Sequence, residues 1–85
     1  MYYVYILRSQ KDGKRYIGMS DNISRRIEEH NKGKVTSTRR RRPFLFEYYE
    51  TYKTRIEARK REIYFKTAAG RKWLDQNVKT LKVAD

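Results

Sequence analysis

YYVYILRSQKDGKRYIGMSDNISRRIEEHN, residues 2–31, carries two strand patterns, the turn between them and a capped helix in immediate succession. Tyr2 to Ser9 is apolar on both faces, the pattern of a strand that is covered on both sides or lies centrally in its sheet. Lys11-Asp12-Gly13-Lys14 is a hairpin signal, because Asp-Gly favours the positive φ of turns joining antiparallel strands. Arg15 to Met19 is then the return strand, which sets Tyr5 and Tyr16 on paired neighbours. Ser20, Asp21 and Asn22 are helix-capping residues, with Asp21 expected in that role. A helix over Ile23 to Asn31 follows, with Gly33 as its C′ residue. Ile23 and Ile27 lie one turn apart and should face the sheet.

Further along, Lys34 to Arg42 is a polar, basic loop closed by Pro43, and Phe44 to Tyr52 is a third strand, aromatic on both faces. Thr54 and Glu57 have capping-box spacing and open a second helix to about Ala68, punctuated by Gly70. A shorter helix over Arg71 to Val78 follows, docked by Trp73 and Leu74. The expected fold is α+β: a small three-stranded antiparallel sheet flanked by helices, in the order β-β-α-β-α-α, as one domain over residues 1–85.

The 85 residues leave room for a modest core. Without cysteine, disulfides, thiolate metal sites and thiol nucleophiles are excluded. Eight tyrosines, three phenylalanines and Trp73 must hold the fold by packing. No apolar run approaches the ~20 residues that span a bilayer. The run Tyr2 to Leu7 has neither a basic stretch before it nor a small-residue cleavage site after it, so it reads as a strand rather than a signal peptide. A cytoplasmic location is the expectation.

Charge is the strongest bulk feature: 22 Lys and Arg against 10 Asp and Glu, a net +12. Lys32, Lys34, Arg39, Arg40, Arg41 and Arg42 fall between His30 and Phe46 with no acid among them. Such a field draws polyanions, nucleic acid first, since neutralising phosphates releases counterions. An anionic membrane would need an amphipathic helix with a bulky apolar face, and none is evident. Arg39 to Arg42 also fits a nuclear localisation run. Beside a proline and an aromatic strand it reads better as a loop that tracks phosphates.

Few acids remain for chemistry. Asp12 belongs to the turn, and Glu28 and Glu29 sit among arginines on an exposed face. Glu62 differs, because at 100° per residue it falls within the stripe of Ala58, Phe65 and Ala69. A carboxylate near apolar neighbours needs a partner, and a metal is one. An i,i+4 ion pair with Lys66 is the plainer alternative. Arg26 and His30 share a helix face, where a cation beside the chain's one imidazole suits phosphate binding or proton transfer, and equally a solvated helix edge. Tyr5 and Tyr16 are core residues unless a cation or metal favours their phenolates.

Taken together, Val4-Tyr5-Ile6, then Tyr16-Ile17-Gly18-Met19-Ser20 through Arg25-Arg26-Ile27-Glu28-Glu29-His30-Asn31, then Glu57-Ala58 to Glu62-Ile63-Tyr64-Phe65-Lys66, resemble the GIY-YIG nuclease family over nearly the whole chain. The likeness is to its small stand-alone branch. It implies a metal-dependent endonuclease in which Glu62 holds Mg²⁺ or Mn²⁺. Arg26 would bind the scissile phosphate, Tyr5 and Tyr16 would flank the attacking water, and His30 would assist the proton. Gly18 would allow a close backbone approach. DNA is the expected substrate, cut to a 5′-phosphate and a 3′-hydroxyl, with Lys34, Arg39, Arg40, Arg41, Arg42 and Lys66 on its backbone. The first motif departs from the family, since only its tyrosine carries over. Asn77 matches poorly the asparagine that many members carry after the glutamate helix. With no residues left for a second domain, specificity would come from substrate shape or a protein partner. A catalytically silent basic nucleic-acid-binding module and a structural RNA- or ribosome-associated protein remain the alternatives.

Overall fold

A computed structural model describes residues 1–78; residues 79–85 of the expected domain, and with them Asp85, lie outside it. The elements are β1 (Tyr2–Ser9), β2 (Arg15–Ser20), α1 (Ile23–Asn31), β3 (Phe44–Tyr52), α2 (Arg55–Phe65) and α3 (Ala68–Asn77). This is the expected β-β-α-β-α-α order. The sheet is antiparallel throughout, ordered β2-β1-β3.

The two-faced apolar pattern of β1 is explained by that order, because the strand is central and each face meets a different helix layer. Val4 and Ile6 pack with Ala58, Phe65, Leu74 and Val78 from the α2/α3 side. Tyr5 and Leu7 pack with Phe44, Tyr16, Ile23 and Ile27 on the α1 side. Val4, Tyr5, Ile6 and Leu7 are wholly buried. In the register of β1 and β2, Tyr5 stands opposite Gly18, and Leu7 opposite Tyr16, so the two tyrosines share the α1 face. On the other side of β1, Ile6 pairs with Tyr48 and Leu7 with Phe46, which leaves Glu47 as the extra residue of a β-bulge. Its carboxylate takes the Arg8 guanidinium.

The capping chemistry differs from the expectation in detail. Asn22, not Asp21, is the N-cap of α1, accepting from the Arg25 amide at 3.1 Å, while Asp21 pairs with the Arg25 guanidinium. Thr54 caps α2 as expected. The turn between β1 and β2 is a longer loop in which the Ser9 carbonyl accepts from the Gly13 amide, and Gly13 takes the positive φ of +72°.

The larger correction is at the α2–α3 elbow. α2 stops at Phe65 rather than Ala68, because the Thr67 side chain accepts from the Gly70 amide and starts α3 there, ahead of the expected Arg71. Gly70 therefore lies inside α3 rather than ending a helix. It is buried, and a Cβ there would come 1.9 Å from the Tyr64 carbonyl oxygen. Ala69 belongs to α3 and is exposed, so it is not part of the Glu62 stripe.

Beyond the hydrophobic layers, one polar cluster ties β3 to α2. Glu50 accepts from the Tyr48 and Tyr52 hydroxyls, both at 2.5 Å, and from Arg61 at 2.8 and 3.2 Å. The Arg61 guanidinium lies over the rings of Phe65 and Trp73, 4.4 and 4.6 Å from their centres.

Candidate active site

The site forms around a missing side chain. Because Gly18 stands opposite Tyr5, the Tyr5 ring can cross it toward the open edge of β2; a Cβ on Gly18 would lie 2.4 Å from the Tyr5 hydroxyl oxygen. The glycine thus makes room for a tyrosine of the same protein, not for an approaching backbone.

Beneath that phenol lies His30, fully buried although α1 is amphipathic and short. Its Nε2 is 3.0 Å from the Tyr5 hydroxyl, and its Nδ1 is 2.8 Å from the Thr38 hydroxyl. The Tyr16 ring meets the imidazole edge-on at 4.7 Å, and Phe44 closes the other side at 5.9 Å. Burial, then Arg26, push the imidazole pKa down to about 4, so the ring is neutral at pH 7. His30 has no open nitrogen and reaches the site only through Tyr5.

Arg26, one turn before His30, is half-exposed and bears on the Tyr5 hydroxyl. Burial works against its charge, but the Tyr5 and Tyr16 phenols and Glu29 outweigh it and hold the guanidinium above its usual range. Burial, then Tyr16, raise the Tyr5 phenol well above its ordinary value against the pull of Arg26. Tyr5 is therefore a neutral phenol.

Glu62 arrives from the opposite layer. Its neighbours Ala58 and Phe65 belong to the α2/α3 side of the sheet. The carboxylate is nearly buried, at 7% exposure. Its partners are Arg59 at 2.7 Å and Lys66 at 3.4 Å, so the ion pair weighed from spacing alone is present. Among the described residues no group of three or more His, Cys, Asp or Glu side chains could enclose a metal. A cation here would have one protein carboxylate and otherwise water or substrate oxygens, an arrangement that suits Mg²⁺.

Two grooves run beside β2. One, of about 680 Å³, includes Lys14, Arg15, Tyr16, Lys66 and Arg71 in its lining. The other, of about 400 Å³, includes Arg25, Arg26 and Arg55. Tyr16 and Lys66, the ion-pair partner of Glu62, thus share one groove.

The arginine loop is committed elsewhere. Arg39 donates to the Gly33 carbonyl, and Arg42 donates to the Arg39 carbonyl while its head lies over Gly33. Arg41 holds Asp12 and the carbonyls of Lys14 and Arg15, and covers Phe44. Of the four, Arg40 alone makes no hydrogen bond or ion pair among the described residues, and Lys34 is also exposed. Arg39, Arg41 and Arg42 thus each give one or more donors to the fold, while Arg39 and Arg42 stay exposed with the outer ends of their guanidinium groups. The Asn77 amide donates to the Trp73 carbonyl of its own helix.

Sequence reasoning passed over Thr38 and the groove cations Lys14 and Arg71. A threonine in a polar loop carries no signal of its own, and the groove joins residues that are distant in sequence.

A family model described as the GIY-YIG catalytic domain matches residues 1–75. A UPF0213 protein of Bacillus licheniformis is 42% identical over 66 residues, covering 76% of this chain and 67% of the relative. One of Staphylococcus aureus is 39% identical over 74 residues, covering 86% and 89%. The solution NMR structure of a UPF0213 protein from Bacillus halodurans superposes with a TM-score of 0.56 at 32% identity, over 89% of this chain and 84% of that one.

Proposed function

The chain belongs to the GIY-YIG nuclease family, and from that premise we propose that it is a metal-dependent endonuclease that hydrolyses DNA phosphodiester bonds. One arrangement supports the reading: the Tyr5 hydroxyl and the Tyr16 ring meet at the His30 imidazole, one turn from Arg26, and Tyr16 lines the same groove as Lys66, the ion-pair partner of Glu62.

Each residue has a role its surroundings support. Arg26, a fixed cation at the mouth of a groove, would clamp the phosphoryl oxygens as charge builds on them. Tyr5 and Tyr16 would orient the attacking water. Glu62 would hold Mg²⁺ or Mn²⁺, which when bound makes water a better nucleophile and offsets phosphate charge. Arg59 and Lys66 are side chains of the helix surface that can swing away from the carboxylate. Lys14, Arg15, Lys66 and Arg71 would carry the backbone on one side, with Arg40 and Lys34 further out. Such contacts position a duplex without reading its bases, so substrate shape or a protein partner would supply specificity. A cytoplasmic site of action fits, since among the described residues no helix is long and apolar enough to cross a membrane.

The Glu62 ion pairs are the observation that favours a second reading, a basic module that binds nucleic acid and leaves it intact. Incubating the purified chain with linear, nicked and branched DNA and with RNA, in Mg²⁺, Mn²⁺ or EDTA, separates the two. Cation-dependent cutting of DNA is expected; binding without cutting under every condition would overturn the nuclease reading.

A further inference from the structure

We propose that Thr38 is a positioning residue: its hydroxyl oxygen accepts from Nδ1–H of His30, fixes that tautomer, and so turns the lone pair of Tyr5, rather than its proton, toward the site. The consequence for rate rests on the nuclease reading; the tautomer does not.

Both ends of the hydrogen-bonded chain fit the same arrangement. At the outer end, the Tyr5 hydroxyl has two neighbours, Arg26 and His30. A guanidinium donates and never accepts, so only Nε2 of His30 can take the phenol proton. At the inner end, the Thr38 hydroxyl donates to the Val35 carbonyl at 3.4 Å. With its proton turned to that carbonyl, the Thr38 oxygen is free to accept from Nδ1–H, 2.8 Å away. A neutral imidazole has one donor and one acceptor, so a phenol that donates to Nε2 leaves Nδ1–H facing the Thr38 oxygen. His30 and Thr38 are both wholly buried, so the imidazole depends on Tyr5 and Thr38 for its hydrogen bonds.

The basic loop is what aims Thr38. The Thr38 amide donates to the Val35 carbonyl at 3.1 Å, and its carbonyl accepts from the Arg41 amide at 2.9 Å. Arg39 and Arg41 then anchor the next turn to Gly33 and Asp12. The arginine run acts on the site indirectly, by pinning one threonine under one imidazole.

The chain has one histidine, so its ring nitrogens are unambiguous in a long-range ¹H–¹⁵N correlation of the labelled full chain. A protonated Nδ1 and an unprotonated Nε2 are expected; the reverse would overturn the proposal. Thr38→Val keeps the shape and removes the acceptor. It should lose the single-tautomer signature and lower kcat about 10- to 100-fold, the usual scale for an outer partner of a functional histidine, with KM unchanged. Thr38→Ser should restore both. A Thr38→Val chain with the native kcat or spectrum sinks the idea. Should Thr38→Val fail to fold, the native chain and Thr38→Ser still report the tautomer. A native chain that cuts nothing defeats the nuclease reading while the spectrum still decides this one.

Discussion

Glu50 and Glu62 are both acids drawn out of water beside aromatic rings, and α2 serves both, yet they are held in opposite ways. Glu50 accepts from two phenols and a guanidinium, and that guanidinium is itself clamped over Phe65 and Trp73. Every partner of Glu50 is anchored. Glu62 is the better covered of the two, with 10% of its side chain exposed against 15%, but Arg59 and Lys66 are 60% and 53% exposed. An acid whose partners are fixed contributes to the fold. One whose partners sit at the ends of solvated side chains can exchange them for a cation and a phosphate at little cost in stability.

The sharpest way to break this contrast is Glu62→Ala. Cleavage should fall about 10²- to 10³-fold, while stability changes by no more than about 0.5 kcal/mol and salt-dependent DNA binding persists. A loss of folding comparable to that of a Glu50 variant would erase the distinction. Arg26→Ala should match it in cleavage, since the guanidinium faces the same phenol.

Glu50→Ala is the mirror experiment. It leaves Arg61 without its carboxylate, so urea denaturation should show a loss of about 2–3 kcal/mol. Cleavage per folded molecule should stay native. Loss of cutting in a fully folded Glu50→Ala chain would show that the two acids are not separable.

A smaller effect is visible in pH. Although burial raises the Glu50 pKa, hydrogen bonds from Arg61, Tyr48 and Tyr52 outweigh it and leave the carboxyl below its ordinary value. Its stabilisation is therefore complete above the unfolded value of about 4.3 and is lost as pH falls through the lower folded one. Acid unfolding curves of native and Glu50→Gln chains should converge in that window. The smallest expected change is in Arg59→Ala. Freeing one competitor of Glu62 should lower the metal concentration for half-maximal cleavage about twofold, the scale of one helix-surface ion pair.

Much of this was legible in the residue order, and the reasons are local. The hairpin, the caps Asn22 and Thr54 and the Ile23/Ile27 stripe all express contacts within a few residues, so β1, β2, α1 and the start of α2 fall nearly where the pattern predicts. The end of α2 was misjudged because Thr67 looks like one more helical residue until its hydroxyl is seen capping the Gly70 amide. The arginine loop has a second role that its composition does not show. Charge density shows that guanidinium groups attract phosphate, but not that the same groups also donate to backbone carbonyls within reach. Glu50 and Thr38 left no trace, since each has meaning only beside partners brought from another element.

The elbow at Gly70 carries a last consequence. With the Tyr64 carbonyl already where a Cβ would go, α2 and α3 meet as a welded joint with no slack to open. Lys66 and Arg71 therefore leave the backbone at a set spacing on either side of that joint, in the groove they share. On the proposed reading, a nucleic acid in that groove would meet a rigid backbone, and a strand freed by a nick or a branch should bend to fit it more cheaply than an unbroken duplex.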